Sequence, residues 1–553
     1  MTRVLIIGLD GVPLQLIRRW AEQGDLPTFR RLMREGAVGH LRSTLPATSA
    51  PAWSSFMTGM NPGKTGVYDF LYRRPGTYTF FPNNARRRAG RSLWRILSEA
   101  GKRVGVMNVP LSYPVEPVNG FIISGWMTPY TARDVAYPAY LLPELERHVG
   151  AYRIYPAATF SEKRRDAYFR ACHHLLTLRT RAAYYLLTWE PWDFFMVVFF
   201  DTDRILHQLW HDLDPDHPWN RALGRSPDDT ALRRYFQHLD ASVDRLVQAA
   251  GEDALVILMS DHGMGPARDM IVLNNWLWQV GLLHLRTRFL SRMKERLFRW
   301  GFTLSTVHEW VDRLGLAKQA EYRALYSVDA LLKKVFLSFD DVDWSQSLAY
   351  SFGRDVGPIY LNVKGREPGG IVPPGQPYLR LRDEIADMAR EMRDPATGRR
   401  LVGQVLYREE VYHGPYLEEA PDLILVPARP EDVFYGLADF GANRLARPMY
   451  RYSGMHRDLG LVILHGRNVR PGRGLTGAEI IDVAPTVLHA LGVPLPAEMD
   501  GRVLQEAFWP GRMNAPVRVN APPVSRFPAR HGEYTPREAL AVEVRLRQLG
   551  YLG

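Results

Sequence analysis

The chain opens with a short apolar run that ends in a carboxylate, Val4-Leu5-Ile6-Ile7-Gly8-Leu9-Asp10-Gly11. Runs of the same kind recur, most clearly at residues 104–109, 194–200, 254–259 and 461–464. Each run is nearly all apolar, as expected of strands that are buried on both faces of a mostly parallel sheet. These runs therefore predict the central strands of one sheet.

Longer helical patterns fill the intervals between the predicted strands. They lie at residues 26–34, 93–100, 166–188 and 230–250. Strands that alternate with helices are typical of the α/β class, in which helices cover both faces of the sheet. We therefore predict a doubly wound α/β core, a mostly parallel sheet sandwiched by helices, that also carries a helical insertion.

The insertion is predicted at residues 283–345, where the alternation breaks. Residues 290–300 mix basic and apolar side chains at helical spacing, and residues 307–314 continue in that style. This segment is interpreted as a cap over the site, as a basic amphipathic surface that touches a membrane, or as a helical insertion packed on the core. We favour the third interpretation and keep the other two open.

The domain boundaries follow from where the core pattern stops and returns. It returns near Leu348, in the segment at residues 357–363. We expect a catalytic core at residues 1–282 and 346–514, followed by a tail at residues 515–553. The tail begins with a connector rich in Pro and Arg (residues 515–530) and ends in a short amphipathic helix (residues 536–549).

The composition excludes several classes of protein and of site. A single cysteine, Cys172, excludes an internal disulfide and a thiolate metal cluster. Any metal must then be held by His and carboxylates, which suits zinc or manganese. The net charge of +11 favours acidic substrates or anionic surfaces. No zinc finger, RNP-like sequence or long basic block indicates nucleic-acid binding.

The sequence has no segment that predicts a membrane span. No apolar run reaches the roughly 18–20 residues that cross a bilayer. The first run ends in a carboxylate and has no small-residue cleavage site after it, so it indicates a first strand and not a signal peptide. We therefore expect a cytoplasmic protein. Nothing in the sequence predicts its oligomeric state.

Acidic and histidine residues follow directly after three of the predicted strands. Asp10 follows the first strand, Asp203 follows the strand at 194–200 with His207 one helical turn later, and Asp261-His262 follows the strand at 254–259. In open α/β sheets, ligands bind at the carboxyl ends of the strands. Carboxylates gathered at one edge repel each other unless cations neutralise them, so their convergence predicts a metal site.

A candidate nucleophile lies between the first two of these strands. The segment Thr48-Ser49-Ala50-Pro51-Ala52-Trp53 is predicted to be a loop that enters a helix, because Pro51 fits a first helical turn. Ser49 then stands at the helix N-terminus, where N–H groups and the dipole favour an alkoxide and a bound phosphate. The alternative is that Ser49 only caps the helix.

These motifs resemble the alkaline phosphatase superfamily, in particular its type I phosphodiesterase/nucleotide pyrophosphatase branch and the predicted phosphohydrolases or phosphomutases within it. The resemblance spans residues 4 to 505. The matching segments, in order, are Ile6-Ile7-Gly8-Leu9-Asp10-Gly11, Ser49-Ala50-Pro51-Ala52-Trp53 with Phe56-Met57-Thr58-Gly59, Thr202-Asp203-Arg204 with His207, Met259-Ser260-Asp261-His262-Gly263-Met264, Gly454-Met455-His456-Arg457, and Ile481-Asp482-Val483-Ala484-Pro485-Thr486 with Met499-Asp500-Gly501.

The resemblance implies two divalent metal ions, zinc before manganese, and a role for each matching residue. Asp10, Asp261 and His262 would bind one metal, which also contacts the Ser49 oxygen. Asp203, His207 and His456 would bind the other metal. His456 is assigned by the resemblance alone, because it lies far downstream in a predicted loop.

Two positions depart from the superfamily patterns. The phosphodiesterase branch places an Asn shortly after the nucleophile helix, but Phe70 stands there. The phosphoryl oxygens would then be held by the Ala50 N–H, by Asn108 or by Lys64, and we name Lys64 and Asn108 as candidate substrate-binding residues. Sulfatases have an Arg where this chain has Trp53, which argues against a sulfatase.

Together these observations predict a metal-dependent hydrolase of small phosphate esters that acts through a phosphoserine intermediate. A phosphomutase or phosphotransferase would use the same metals but pass the phosphoryl group to a second alcohol. A sulfatase is the less favoured alternative. The monoester or diester preference depends on loops whose position the sequence does not give.

Overall fold

The computed structural model describes residues 3–158, 160–303, 306, 335–438, 440–449, 452–511, 517–520 and 534–548. In chain order the strands are β1 (Arg3–Leu9), β2 (Ala37–Arg42), β3 (Leu71–Arg73), β4 (Phe80–Pro82), β5 (Val104–Met107), β6 (Gly120–Ile123), β7 (Ala136–Tyr137), β8 (Phe194–Phe199), β9 (Ala254–Met259), β10 (Gly263–Pro266), β11 (Asp269–Val272), β12 (Ala349–Tyr350), β13 (Arg354–Asp355), β14 (Gly357–Leu361), β15 (Val402–Tyr407), β16 (Leu423–Pro427), β17 (Val433–Tyr435), β18 (Ala446–Pro448), β19 (Gly454–Arg457), β20 (Leu459–His465), β21 (Arg473–Glu479), β22 (Leu495–Pro496) and β23 (Arg518–Val519).

The α-helices of the described residues surround these strands. They are α1 (Leu14–Glu22), α2 (Pro27–Glu35), α3 (Ser49–Thr58), α4 (Pro62–Thr65), α5 (Leu93–Glu99), α6 (Leu141–His148), α7 (Arg165–Trp189), α8 (Asp201–Leu209), α9 (Pro218–Leu223), α10 (Thr230–Ala250), α11 (Leu273–Gln279), α12 (Phe289–Arg299), α13 (Gln376–Arg390), α14 (Arg408–Val411), α15 (Val483–Ala490) and α16 (Pro536–Gln548). None of these helices is long and apolar enough to cross a membrane.

The predicted central strands form one nine-stranded sheet in the order β21-β2-β20-β9-β1-β8-β5-β6-β7. Strand β1 pairs in parallel with both β8 and β9, and Leu9 lies opposite Phe199 while Gly8 lies opposite Met259. The carboxyl ends of these three strands therefore lie level at one edge of the sheet. The predicted fold class, a doubly wound α/β core with a mostly parallel sheet, is confirmed.

Alternate residues of β1 enter two different apolar cores, which explains why the run is apolar throughout. Leu5 and Ile7 pack in the cluster that contains side chains of α1, α2, α7 and α10. Val4 and Ile6 pack in the cluster on the other face, with side chains of α3, α5 and α15. Cys172 of α7 lies fully buried in the first cluster, where burial raises the pKa of its thiol to about 12.

The segment predicted to return to the core does not join the nine-stranded sheet. Strand β14 instead belongs to a separate four-stranded sheet, β12-β14-β16-β15, whose paired strands are antiparallel. An apolar run indicates a buried strand but not which sheet it joins. A second four-stranded sheet, β13-β17-β11-β18, lies in the same part of the chain.

A buried ion cluster lies in the β14–β16 region. Asp422 is fully buried immediately before β16 and accepts hydrogen bonds from Arg366 (2.8 and 2.6 Å), Tyr378 (2.8 Å) and the Leu361 N–H (2.7 Å). Arg408 approaches the same carboxylate at 3.4 Å. The two cations outweigh the effect of burial and hold the pKa of Asp422 below its ordinary value. We call these residues the Asp422 cluster.

The described part of the predicted insertion contains the helix α12, at Phe289–Arg299. The second helical pattern of the insertion, at residues 307–314, lies outside the described residues. In the tail, β23 pairs with β22, and the predicted C-terminal helix is α16. Most of the predicted connector also lies outside the described residues, and the division into core, insertion and tail stays a prediction.

Candidate metal centre

Asp10 and Gly11 follow directly after β1. One carboxylate oxygen of Asp10 accepts a hydrogen bond from the Ser49 hydroxyl (3.2 Å) and the other accepts one from the Trp53 indole N–H (3.0 Å). Gly11 has a φ of 71°, and a Cβ at this position would lie 2.8 Å from an oxygen of Asp203. Only glycine fits both the left-handed backbone and this close approach, which is why Gly follows Asp in the motif.

Ser49 is the first residue of α3, and Thr48 is the N-cap residue. The Thr48 side chain accepts no hydrogen bond from the helix, so the alternative that Ser49 serves as the cap does not hold. Ser49 is fully buried, and its hydroxyl oxygen lies 3.2 Å from the Nε2 atom of His262. The helix thus holds the hydroxyl between the ends of β1 and β9.

Asp203 and His207 lie one turn apart on α8, which begins where β8 ends. Their side chains meet, with His207 Nε2 at 3.3 Å from Asp203 Oδ1. His207 Nδ1 lies 2.7 Å from the Gly454 carbonyl oxygen. A carbonyl only accepts hydrogen bonds, so Nδ1 carries a ring hydrogen and Nε2 is the ring nitrogen that faces Asp203.

Asp261 and His262 follow β9 and lie beside Asp10. Asp261 accepts a hydrogen bond from the Gly11 N–H (3.2 Å). His262 Nδ1 donates to the Gly263 carbonyl (3.0 Å), so its Nε2 lone pair also points into the site. That Nε2 atom lies 3.3 Å from Asp261 and 3.6 Å from Asp10.

His456 was predicted to lie in a loop, but it lies in the short strand β19. This strand pairs with β10 in a two-stranded antiparallel ribbon, in which His456 is opposite Met264. The strand is too short for its alternation to be recognised in the sequence. The ribbon brings His456 Nε2 to 2.9 Å from His207 Nε2 and 3.6 Å from Asp203 Oδ1.

Among the residues that the structure describes, two groups of side chains offer ligand atoms close enough together to hold a metal ion. Asp10, Asp261 and His262 form one group, and Asp203, His262 and His456 form the other, with all ligand atoms of a group within 4.8 Å of one another. His262 thus belongs to both groups. The resemblance assigned His207 in place of His262 to the second group, and the distances above bring His207 there as well.

The electrostatics of the centre show an excess of buried negative charge. Burial and the neighbouring charge of Asp203 raise the pKa of Asp261 to about 7, and burial, Asp261 and Asp203 raise the pKa of Asp10 well above its ordinary value. Burial alone would also raise the pKa of Asp203, but His207 and His456 outweigh it and hold that pKa well below its ordinary value. Bound cations would relieve this repulsion.

The surroundings of His262 and His456 shift the pKa values of the two imidazoles in opposite directions. Burial and the neighbouring His456 lower the pKa of His262 to about 3, so its Nε2 lone pair stays available. Burial would lower the pKa of His456 too, but Asp355 and Asp203 raise it to about 10. Without a metal, a proton on His456 therefore joins the two Nε2 atoms that lie 2.9 Å apart.

Asp355 is a site residue that the sequence interpretation missed. It comes from β13, which belongs to a different sheet, and one of its oxygens lies 2.7 Å from His456 Nδ1. Its φ of 73° is unusual for a residue with a side chain. Asp69 is a second buried carboxyl group nearby, and burial raises its pKa to about 7. Neither residue lies at the end of a predicted strand, so no pattern in the sequence indicated them.

The two candidate substrate-binding residues are engaged elsewhere. Lys64 forms an ion pair with Asp500 (2.5 Å) and donates to the Glu498 carbonyl (2.8 Å), beyond the far end of α3. Helix α3 alone is about 15 Å long. Asn108 donates to the Ser124 carbonyl (3.1 Å) and accepts a hydrogen bond from Tyr152. Phe70, which stands where the family has Asn, packs against Trp126 with ring centroids 4.7 Å apart.

Comparison with known proteins adds a family and a fold. The sequence pattern of the family described as type I phosphodiesterase / nucleotide pyrophosphatase matches residues 4–436. Among curated protein sequences, none matches the chain.

The similar solved structures include two enzymes. Phosphonoacetate hydrolase from Sinorhizobium meliloti 1021, in complex with phosphonoformate, has 14% sequence identity and a TM-score of 0.50, and the similarity covers 89% of this chain and 95% of that one. Human ectonucleotide pyrophosphatase / phosphodiesterase 5 has 13% identity and a TM-score of 0.47, with 92% and 100% covered. At these identities, the first similarity concerns the fold.

Proposed function

The chain belongs to the type I phosphodiesterase / nucleotide pyrophosphatase family, and on that premise we propose that it hydrolyses phosphate esters with Ser49 as the nucleophile and two bound divalent metal ions. The family supports the general activity, hydrolysis of phosphoric esters. The nucleophile, the metals and the covalent intermediate are the specific parts of the proposal.

The observation that carries the proposal is the environment of the Ser49 hydroxyl. It is fully buried at the start of α3, and its oxygen lies 3.2 Å from both Asp10 and His262, which belong to one of the two groups of candidate metal ligands. A buried hydroxyl with such neighbours is activated when a cation or a base favours its deprotonated form. Thr48, the alternative nucleophile, has no comparable contact among the described residues.

The chemistry of the ligand groups fits metal ions. The Nε2 atoms of His207 and His456 lie 2.9 Å apart beside an ionised Asp203, and a bound metal ion would take the place of the proton that joins them. Three imidazoles among the candidate ligands favour zinc, with manganese as the alternative. Asp10, Asp261 and His262 would hold one ion beside Ser49, and Asp203, His207 and His456 would hold the other.

The reaction would proceed in two halves at Ser49. When bound, the metal ions would lower the pKa of the Ser49 hydroxyl and neutralise charge on the phosphate oxygens. The Ser49 oxygen attacks phosphorus, and the bond from phosphorus to the leaving alcohol breaks, which gives a phosphoserine. Water then attacks the phosphorus of the phosphoserine and releases the phosphate product together with free Ser49.

The N-terminus of α3 would hold the phosphoryl oxygens. Thr48 does not cap this helix, so the N–H groups of the first turn, including that of Ala50, are left for a ligand. A helix N-terminus favours a bound anion through these N–H groups and through the dipole. Of the three groups considered for the role of the missing Asn, we therefore favour the Ala50 N–H over Lys64 and Asn108.

The decisive test replaces Ser49 by Ala. We expect Ser49→Ala to lower turnover of a chromogenic phosphate ester by at least about 10,000-fold, because the attacking atom is gone. Metal content, measured by atomic emission, should stay at the wild-type value. Ser54→Ala is the matched control, because Ser54 is also a buried serine of α3, and it should keep the wild-type rate.

Other outcomes would redirect the proposal. Near-normal turnover by Ser49→Ala would move the nucleophile to Thr48 or to water. A panel of phosphate monoester, phosphate diester, aryl sulfate and phosphonoacetate substrates defines the substrate class. Phosphoryl transfer to an added alcohol without release of free phosphate would establish a phosphotransferase, and preferential sulfate hydrolysis would establish a sulfatase.

A further inference from the structure

Helix α12 buries two polar side chains and one apolar side chain, and it exposes several large apolar side chains to solvent. Ser291, Lys294 and Phe298 form its buried face. In contrast, Phe289, the first residue of the helix, is 81% exposed, and Trp300, which follows its last residue, is 84% exposed. A helix that packs on a core normally buries its large apolar residues. Phe298 is the apolar residue of α12 that packs in the described core, and the exposed apolar residues of the helix lie outside it.

The inward face is held by a specific polar contact. Asp341 is buried and accepts hydrogen bonds from both Ser291 (2.8 Å) and Lys294 (2.8 Å). The same carboxylate also accepts the Ser338 N–H (3.2 Å). Since these groups satisfy one another, a rotation of the helix that buried the apolar side would expose an ordered ion pair and lose its hydrogen bonds. The outward direction of the apolar side is thus fixed by the fold.

The outward face has a continuous apolar line with a basic flank. At about 100° per residue, Phe289, Met293 and Trp300 lie along one line of the helix, and Leu290 lies beside them. Their exposed fractions are 81%, 43%, 84% and 62%, in the order Phe289, Met293, Trp300 and Leu290. We call these four residues the apolar face of α12.

Arginines border the apolar face on one side. Arg292, Arg296 and Arg299 follow at neighbouring positions of the wheel, and Arg288 precedes the helix. Arg299 pairs with Glu295 at 2.9 Å, but Arg288, Arg292 and Arg296 have no acidic partner among the residues that the structure describes. Exposed Phe, Leu and Trp beside these arginines form a surface that matches the boundary of an anionic lipid bilayer.

We propose that the apolar face of α12 and its flanking arginines dock the protein on the surface of an anionic membrane. The apolar side chains would enter the acyl boundary, and the arginines would contact lipid phosphates. The net charge of +11 adds a long-range attraction to the same surface. This inference is independent of the proposed hydrolysis, because no residue of α12 belongs to the metal centre.

Vesicle sedimentation with the full chain tests the proposal. Wild-type protein should bind vesicles of phosphatidylcholine and phosphatidylserine in equal parts, bind vesicles of pure phosphatidylcholine far less, and dissociate as salt rises. The double variant Phe289→Ser/Trp300→Ser should bind the mixed vesicles at least about tenfold more weakly. Tyr140→Ser, at an aromatic residue that is 59% exposed elsewhere, is the matched control and should bind as wild type.

A charge variant tests the arginines separately. Arg292→Glu/Arg296→Glu should weaken binding to mixed vesicles about tenfold or more. Arg34→Glu/Arg467→Glu changes the net charge by the same amount at two other exposed arginines, and it should weaken binding much less. The α12 variants and their matched controls should all hydrolyse a small soluble ester at the wild-type rate, which shows that they are folded. Ser49→Ala should bind vesicles as wild type, which separates this proposal from the catalytic one.

Several results would overturn the proposal. If wild type and the α12 variants bound mixed vesicles equally well, the apolar face of α12 would not be the surface that contacts the membrane. A lower melting temperature of Phe289→Ser/Trp300→Ser, without vesicle binding by wild type, would mean that the chain itself covers the face. A wild-type dimer in light scattering that the same variant dissociates, again without vesicle binding, would assign the face to a second copy.

Discussion

The metal centre and the Asp422 cluster are both buried groups of charged side chains, but only one of them is balanced. In the Asp422 cluster, two guanidinium groups surround one carboxylate, and the pKa of Asp422 is lowered. In the metal centre, three carboxylates lie together, and the pKa values of Asp10 and Asp261 are raised. Burial of charge is common to both, so it does not identify a functional site.

The sign of the pKa change separates Asp422 from Asp10 and Asp261, whereas Asp203 has a lowered pKa because His207 and His456 flank it. A carboxyl group whose pKa falls on folding has found its counterions within the chain. A carboxyl group whose pKa rises lacks them, as Asp10 and Asp261 do. The ion pairs of Asp422 therefore contribute to the free energy of unfolding, whereas the raised pKa values of Asp10 and Asp261 reduce it at neutral pH.

The largest expected effect is on the balanced cluster. Asp422→Asn leaves the buried guanidinium groups of Arg366 and Arg408 without their counterion, so it should lower the free energy of unfolding by about 3–5 kcal/mol. Urea denaturation measures this change. Asp387→Asn, which alters a 78% exposed carboxylate paired with Arg390, should change stability by less than about 0.5 kcal/mol. An equally small effect of Asp422→Asn would contradict the distinction between the clusters.

A smaller effect is expected where a carboxylate supports a residue proposed as a metal ligand. Asp355 lies 2.7 Å from His456 Nδ1 and orients the ring toward Asp203. Asp355→Asn should therefore weaken zinc binding about 10–100-fold at one of the two metal positions and leave the other unchanged. Isothermal titration of the metal-free protein resolves the two events. Asp340→Asn, at an exposed residue of a nearby segment, should not alter either affinity.

The smallest effect is on the pH dependence of the metal-free protein. Folding raises the pKa of Asp261 to about 7, so the folded state binds more protons than the unfolded state between about pH 4 and pH 7. This group therefore costs stability increasingly as pH rises through that window, and the cost is full above it. Asp261→Asn should make the metal-free protein more stable at pH 8 than the wild type, with a difference that grows from pH 4 to pH 7.

The comparison of wild type and Asp261→Asn isolates this group from His262. The pKa of His262 falls to about 3, so His262 acts in the opposite direction between pH 3 and 6.5 in both proteins. Thermal melts of the two metal-free proteins from pH 4 to pH 8 give the difference. Melting temperatures that keep a constant separation across this range would show that Asp261 does not titrate as described.

The sequence predicted the centre of the sheet and the strand-end residues because those features depend on local pattern. Strand β1 faces two cores, so its run is apolar throughout, and Asp10 follows from its place at the end of that run. Asp203, His207, Asp261 and His262 lie after two further strands of the same kind and meet Asp10 in the structure. Their assignment to metal ions stays a proposal.

What the sequence did not predict depends on contacts between distant segments. Asp355 reaches His456 from another sheet on a two-residue strand, which is too short to give a pattern. The periodicity of residues 290–300 predicted an amphipathic helix but not its orientation. The helix turns Ser291 and Lys294 inward because both donate hydrogen bonds to the buried Asp341. Asp341 lies about 50 residues further along the chain, so nothing in the local pattern indicated that it would be their partner.

The burial of Cys172 has a practical consequence for labelling experiments. Thiol reagents react with the thiolate, and Cys172 is the only cysteine of the chain, fully buried, with a thiol pKa of about 12. A cysteine introduced at an exposed position, such as Phe289→Cys, will therefore be modified alone in the native protein, without prior removal of Cys172. A polarity-sensitive dye attached at position 289 would report directly whether this position enters lipid. The much slower rate at which Cys172 is modified would measure how often the core around it opens.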